Sequence, residues 1–268
     1  MIQKKDKMTD HDGSKKGPPM KKPLFITTFA LVFGMLSLVS WTPALAENSA
    51  DMAALGKLIF FDSNLSVNGQ QSCASCHAPE TGFTGPDSFV NAGPAVYAGA
   101  ISTRFGNRKP PTSAYAGDSP GLQYDEANGE WFGGMFFDGR AAGWQLGDPL
   151  AEQAMGPFLN PLEQGMAGAR QVCIKVAHSS YAAFFEAVWG PGSLDHVKDV
   201  AGTYERIARS VAAYERSAEV NPFTSKFDLF WENALAAGKD VTRITAAGIP
   251  GGMGMGGGGM GGGGRGGG

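Results

Sequence analysis

The sequence predicts an all-α domain whose helices are joined by long loops. Three observations carry that prediction. Val200, Tyr204, Ile207, Val211 and Tyr214 step by four, three, four and three, the spacing of one helical face. Alternating polar and apolar runs, the mark of half-buried strands, are sparse. Between 78 and 144 the chain is rich in Gly, Pro, Ser and Asp and keeps no sustained period.

The ends of the 268-residue chain are set apart from that domain. Met20-Lys21-Lys22 opens an apolar run over 24–41, and Ala44-Leu45-Ala46 closes it. A basic start, an apolar middle and an A-x-A site make a secretory signal, so residues 1–46 are expected to be a leader cleaved near Ala46, with Met20 as the true start. The mature protein is then expected in a bacterial periplasm or on the cell surface, with no membrane span. Fourteen of the last eighteen residues are Gly, interrupted by Met253, Met255, Met260 and Arg265. The segment 249–268 is therefore expected to be a disordered Gly/Met-rich tail, too dilute in thioethers to preorganise a copper site. One folded domain remains, over 47–248. The net charge is −3 overall and +4 within 1–46, so the rest carries −7 and has no basic stripe for nucleic acid.

Taken in order, the domain should start with a helix capped by Asn48 or Ser49, with Met52, Leu55 and Ile59 on one face and an end near Asp62. Asp148-Pro149 reads as a cap followed by proline at the first helical position, opening a short helix through Gln153. A helical pair follows over 167–178 and 181–188, then the long helix over 197–216 and a last one over 227–237. Cys173 shares an apolar stripe with Val172 and Val176, which predicts a buried free thiol. His178 ends a helix, where an imidazole suits the carbonyl end, and His196 should be solvated.

One short string carries most of the chemistry. Cys73-Ala74-Ser75-Cys76-His77 is C-x-x-C-H, the attachment site of c-type haem. On a helical turn residues three apart share a face, so both thiols can reach the vinyl groups of one porphyrin, and His77 can give its imidazole to the iron. A zinc site would want a second pair of soft ligands, and only Cys173 remains. A thioredoxin-type pair would want an α/β pattern, and a plain disulfide needs only an oxidising compartment. The export signal and the adjacent His favour one covalently attached haem, and the formless stretch 78–144 is of a length that would wrap it.

Further strings surround that motif in a particular order. Leu55-Gly56-Lys57-Leu58-Ile59-Phe60-Phe61-Asp62 and Leu65-Ser66 precede it; Ala78-Pro79-Glu80-Thr81-Gly82-Phe83, Phe137-Asp138-Gly139-Arg140, Glu152-Gln153-Ala154-Met155-Gly156-Pro157 and Asn160-Pro161-Leu162-Glu163 follow. Together they resemble the amino-terminal domain of the bacterial di-haem cytochrome c peroxidases, a family that includes the quinone-maturing enzyme of methylamine utilisation. The resemblance implies a c-type cytochrome-like domain carrying the peroxidatic haem, with Gln153 and Glu163 over its open face. It implies reduction of hydrogen peroxide to water, with Glu163 as general acid/base, Gln153 as an orienting hydrogen-bonding group, and electrons from a small donor such as a cytochrome c or a cupredoxin.

The chain also departs from the family pattern. It holds a single C-x-x-C-H where the family has two. The Trp that the family places between its haems is Phe137. No His occurs between His77 and His178 to close the distal side in a resting form. Lys109 stands where the string Arg108-Lys109-Pro110-Pro111-Thr112 would hold an Asn associated with interdomain calcium, so calcium is not expected. Trp131 and Trp144 flank the Phe137 segment and are expected to pack around the haem. A mono-haem electron-transfer cytochrome c, and a truncated family member lacking the second haem domain, stay open beside the peroxidase.

Overall fold

The computed structural model describes residues 42–243, with side chains from 49 onward. The apolar run of the expected leader and the Gly/Met-rich tail lie outside the described residues. The chain divides into two units between Glu47 and Asn48, and apart from the first residues of the first helix everything below belongs to the second. That unit is helical: α1 (Thr42–Phe60), α2 (Ser88–Ala92), α3 (Pro149–Leu159), α4 (Ala169–Ala177), α5 (Ala182–Trp189), α6 (Val200–Glu215) and α7 (Lys226–Ala236). A small antiparallel hairpin, β1 (Gln123–Asp125) and β2 (Glu130–Phe132), pairs Tyr124 with Trp131. Among the described residues no helix is long and apolar enough to cross a membrane.

The long helix α6 is the axis of the packing. Asp199 caps it, its carboxylate accepting from Gly202 N at 2.9 Å. The stripe legible in the sequence is the buried one: Tyr204, Ile207, Val211 and Tyr214 lie in the main core with Leu55 and Ile59 of α1 and Phe158 of α3. Val172 and Val176 of α4 complete it, and Cys173 is fully buried as a free thiol. The crossing of α1 on α6 is close enough to require Gly56, where an added Cβ would stand 1.8 Å from the Ser210 carbonyl oxygen. Just beyond, Phe60 meets Tyr214 edge-on at 5.2 Å, and both rings meet Phe83 at 6.4 and 6.5 Å. This aromatic triangle ties α1 and α6 to the segment that follows Cys76 and His77.

Three elements differ from their sequence expectation. α1 begins at Thr42 rather than at Asn48 or Ser49. The Ala/Leu-rich stretch before Glu47 is itself strongly helix-forming, and Pro43 suits a first turn. α3 does not stop at Gln153 but runs to Leu159, through Pro157. Pro157 has no N–H for the Gln153 carbonyl, a loss of about 3 kcal/mol in a helix interior. Continuing buries Phe158 against Tyr204 at 6.1 Å, and burying such a side chain returns a comparable amount. Finally, the stretch expected to lack structure contains α2 and the hairpin. α2 is nucleated by Asp87, whose carboxylate accepts from Phe89 N and Val90 N. The hairpin turns on the Asp125 carboxylate, which accepts from Ala127 N and Asn128 N, and on Gly129 at φ +71°.

Candidate haem site

The motif lies on a single 3-10 turn, Cys73–Ser75, opened by a reciprocal cap in which Ser72 N donates to Ser75 Oγ at 3.0 Å. Cys76 N and His77 N both donate to the Cys73 carbonyl, at 3.1 and 2.9 Å. This closes the turn that brings both thiols and the imidazole together. The thiols are free and half-buried. An amide faces each: Gln71 Nε2 lies 3.7 Å from Cys76 Sγ and Gln164 Nε2 lies 3.8 Å from Cys73 Sγ. Burial pushes the Cys76 thiol up to about 11, and the Glu163 carboxylate adds to the shift. Burial also raises Cys73, helped by the negative charge of Glu215 and by Cys76.

The His77 ring is held by backbone. Its Nδ1 lies 3.1 Å from the Phe83 carbonyl, and the Pro111 carbonyl is a second acceptor for the ring. A carbonyl only accepts, so Nδ1 carries the proton and the Nε2 lone pair is left for a metal. Burial pulls the imidazole below its usual range, against the two carbonyls, which keeps it neutral as a ligand must be.

Glu163 stands on the turn that follows α3. Asn160, the C-cap of α3, donates from Nδ2 to Glu163 Oε1 at 2.8 Å and accepts Leu162 N at its Oδ1. The turn is also pinned from the loop side, where Ala100 N donates to the Glu163 carbonyl at 2.8 Å. Gly99 permits that approach, since a Cβ there would stand 2.4 Å from the Leu162 carbonyl oxygen. Burial raises the Glu163 carboxyl above the ordinary carboxylate range, opposed by the Asn160 hydrogen bond and the nearby Arg140 charge. Glu163 lines a cleft of about 230 Å³ with Phe136, Arg140, Gly156, Pro157 and Asn160. The Arg140 guanidinium lies over the Phe136 ring at 3.6 Å and pairs with Asp138 at 2.8 Å. Gln153 is half-buried on α3, one turn before Gly156 and Pro157, but is not among the lining residues.

The residues present fit a covalently bound haem. Two unpaired thiols share one turn with an imidazole whose Nδ1 is held by the Phe83 carbonyl, and beside them the buried Oε1 atoms of Gln71 and Gln164 have no hydrogen-bond partner. Among the described residues no group of three or more His, Cys, Asp or Glu side chains gathers as a metal cluster would. His178 closes α4 with its ring on the Ile174 carbonyl at 2.8 Å, as its helix-end position suggested. His196 is half-buried rather than solvated, its ring 6.4 Å from that of His178. Lys109 donates to the Asn91 carbonyl at 2.7 Å and to that of Gly93, so an ammonium serves those oxygens.

Trp131 and Trp144 do not pack inward. They are 60% and 70% exposed and lie 6.5 Å apart, because the outward-facing hairpin carries one and the Trp144 indole N–H is tied to the Leu122 carbonyl. Phe137 is 91% exposed beside Arg108, so it too stands at the surface. The sequence reading missed Arg140, Asn160, Gln71, Gln164 and Glu215. Arg140 and Asn160 stand inside strings quoted above but were given no role there, and Gln71 and Gln164 lie beside such strings. Glu215 continues the buried α6 stripe one turn after Val211, where a carboxylate is out of place.

A helical domain that offers two thiols and a backbone-oriented imidazole from one turn is of the c-type cytochrome class. Its membership is narrower than that. Residues 50–235 match the family model described as Di-haem cytochrome c peroxidase, and the chain belongs to that family, which implies a c-type haem cofactor. It is 40% identical over 178 residues to the methylamine utilization protein MauG of Paracoccus denitrificans, covering 66% of this chain and 43% of that one. It is 33% identical over 193 residues to the cytochrome c551 peroxidase of Nitrosomonas europaea, covering 70% and 46%. Among solved structures it resembles the diheme peroxidase BthA of Burkholderia thailandensis, with a TM-score of 0.58, 34% identity, and 67% and 41% of the two chains covered. The chain thus spans less than half the length of these relatives.

Proposed function

We propose that the chain is an exported c-type haem peroxidase domain that reduces hydrogen peroxide to water, with one haem on Cys73, Cys76 and His77. Export follows from the sequence of 1–46, with cleavage near Ala46 releasing the domain to the periplasm or cell surface. The observation that carries the chemical reading is the cleft beside the motif. Its six lining residues include a carboxylate, a guanidinium and an amide, and no Met or His that would close the iron as a sixth ligand. Glu163 of that cleft acts electrostatically on Cys76, and its neighbour Gln164 touches Cys73, so the turn 160–164 belongs to the same site as the motif. The stretch 78–144 supplies the Phe83 and Pro111 carbonyls to His77 and the Ala98 carbonyl to Gln71, as a loop wrapping the haem would.

A haem held by Cys73, Cys76 and His77 would supply a redox-active iron to receive the donor electrons. The protein moves the protons. With a haem in place, Glu163 would accept one peroxide proton and return it to the oxygen that departs as water, two donor electrons and two solvent protons completing the reduction to a second water. Asn160 holds Oε1 by its amide, leaving Oε2 for peroxide, and the raised carboxyl exchanges its proton closer to neutrality than a free one. Arg140 places positive charge where the O–O bond polarises, and the orienting role of Gln153, one turn of α3 before the cleft-lining Gly156 and Pro157, is taken from the family resemblance. The electrons come from a small donor protein, a cytochrome c or cupredoxin. The test is Glu163→Gln in haem-loaded protein. Peroxide turnover should fall by about 10²–10⁴-fold with haem content unchanged. Turnover equal to the parent's would remove Glu163 from the reaction.

A further inference from the structure

Glu215 ends α6 at 5% exposure, and the chemistry above leaves it unused. The Ser113 hydroxyl donates to its carboxylate, while its Oε2 is buried without any hydrogen-bond partner. An orphaned buried carboxylate oxygen is destabilising, so its presence calls for a role. Two routes join it to the proximal side of the haem site. Ser113 N donates to the Phe83 carbonyl at 3.1 Å, and that same carbonyl accepts from His77 Nδ1. Pro111, two residues before Ser113, gives the second carbonyl to the same ring. Independently, the charge of Glu215 reaches Cys73.

We propose that Glu215 is a positioning and charge-setting residue of the proximal side, taking up one proton from solvent whenever the donor delivers one electron to the iron. This rests on the haem reading given above. The balance is one electron into the ferric centre and one proton onto the carboxylate, so the buried site gains no net charge. Burial, offset by the Ser113 hydrogen bond and by Arg216, lifts the carboxyl to about 7, where it can exchange at working pH. The groups facing it are few. On its own helix stand Tyr214 and Arg216, and from the cap of α3 comes Asp148, which Arg216 grips at 2.8 and 2.7 Å and holds below the usual carboxylate range. From the motif turn comes Cys73, a thioether once haem is attached, and from the loop only the Ser113 hydroxyl. Lys57 of α1 and Glu219 pair with each other, and Glu219 accepts from Tyr214 rather than meeting Glu215.

The experiment is a spectroelectrochemical titration of haem-loaded protein from the acid to the alkaline side of neutrality. The parent's midpoint potential should fall as pH rises, approaching about 59 mV per unit at its steepest, since each unit is tenfold in proton activity for one electron. Glu215→Gln should be flat across that window at the level of the parent's acid limb, and Glu215→Asp should restore a slope. Ser113→Ala, which removes a donor to the ionised form, should move the inflection to higher pH. Haem content and far-UV dichroism report folding. Attached haem with parallel curves for parent and Gln variant would overturn this inference alone, as would an unmoved inflection in Ser113→Ala. A parent that attaches no haem would overturn the haem reading and this inference together.

Discussion

Glu215→Gln should change how the stability of the fold depends on pH. In the folded domain the carboxyl is raised from 4.5 to about 7, with burial as the main cause. A folded-state value above the unfolded one means that the native state holds the proton more tightly. The associated stability is then fully present below about pH 4.5 and is lost progressively as pH rises through about 7. A rise from 4.5 to about 7 corresponds to a loss of about 3 kcal/mol between pH 4 and pH 8. Glutamine cannot ionise, so this part of the slope should vanish. Contributions that the substitution leaves in place are one of the same sign from Glu163, whose carboxyl burial also raises, and one of opposite sign from His77, whose imidazole burial lowers. The absolute stability of the variant is less diagnostic, because the new amide N–H must find its own partner. Urea unfolding at several pH values measures the quantity directly. Parent and variant curves that stay parallel from pH 4 to pH 8 would refute the assignment of a raised carboxyl to Glu215.

Further outcomes follow from the packing and the cleft. Gly56→Ala should destabilise by about 1–3 kcal/mol in chemical denaturation despite alanine's better helix propensity, because its Cβ would meet the Ser210 carbonyl oxygen at 1.8 Å. Phe158→Ala should cost about 3–5 kcal/mol and shorten α3 at Pro157, read as lost helix by amide exchange, since burial of that ring carries the helix past the proline. In the parent, peroxide turnover should fall as pH drops through the raised range of Glu163, because the base must begin ionised. A pH profile flat on its acid side would contradict that role.

The helical core was legible because it obeys one period. The stripe on α6 and the apolar pair flanking Cys173 were recoverable from spacing alone, and both are buried. The C-x-x-C-H turn was legible for a different reason: its chemistry needs three reactive side chains within five residues, leaving little freedom in the spacing. What escaped was non-local. The hairpin strands are three residues long and mostly exposed, so no inward face alternates to announce them. The end of α3 was misplaced because local propensity at Gly156-Pro157 opposes a helix that tertiary burial of Phe158 sustains. The exposure of Trp131 and Trp144 follows from the hairpin, which spacing does not announce. Glu215 is joined to the motif only through Ser113, which lies about a hundred residues earlier in the chain.

The central claim is that this domain holds one haem by Cys73, Cys76 and His77, with an open face beside Glu163. The electronic spectrum of the haem-loaded ferric protein, before and after addition of hydrogen peroxide, tests it most directly. A high-spin, five-coordinate or water-bound spectrum that changes on addition of peroxide, more slowly in Glu163→Gln, is the result expected. A low-spin spectrum with two strong protein ligands and no response to peroxide would contradict it and leave an electron-transfer cytochrome in its place.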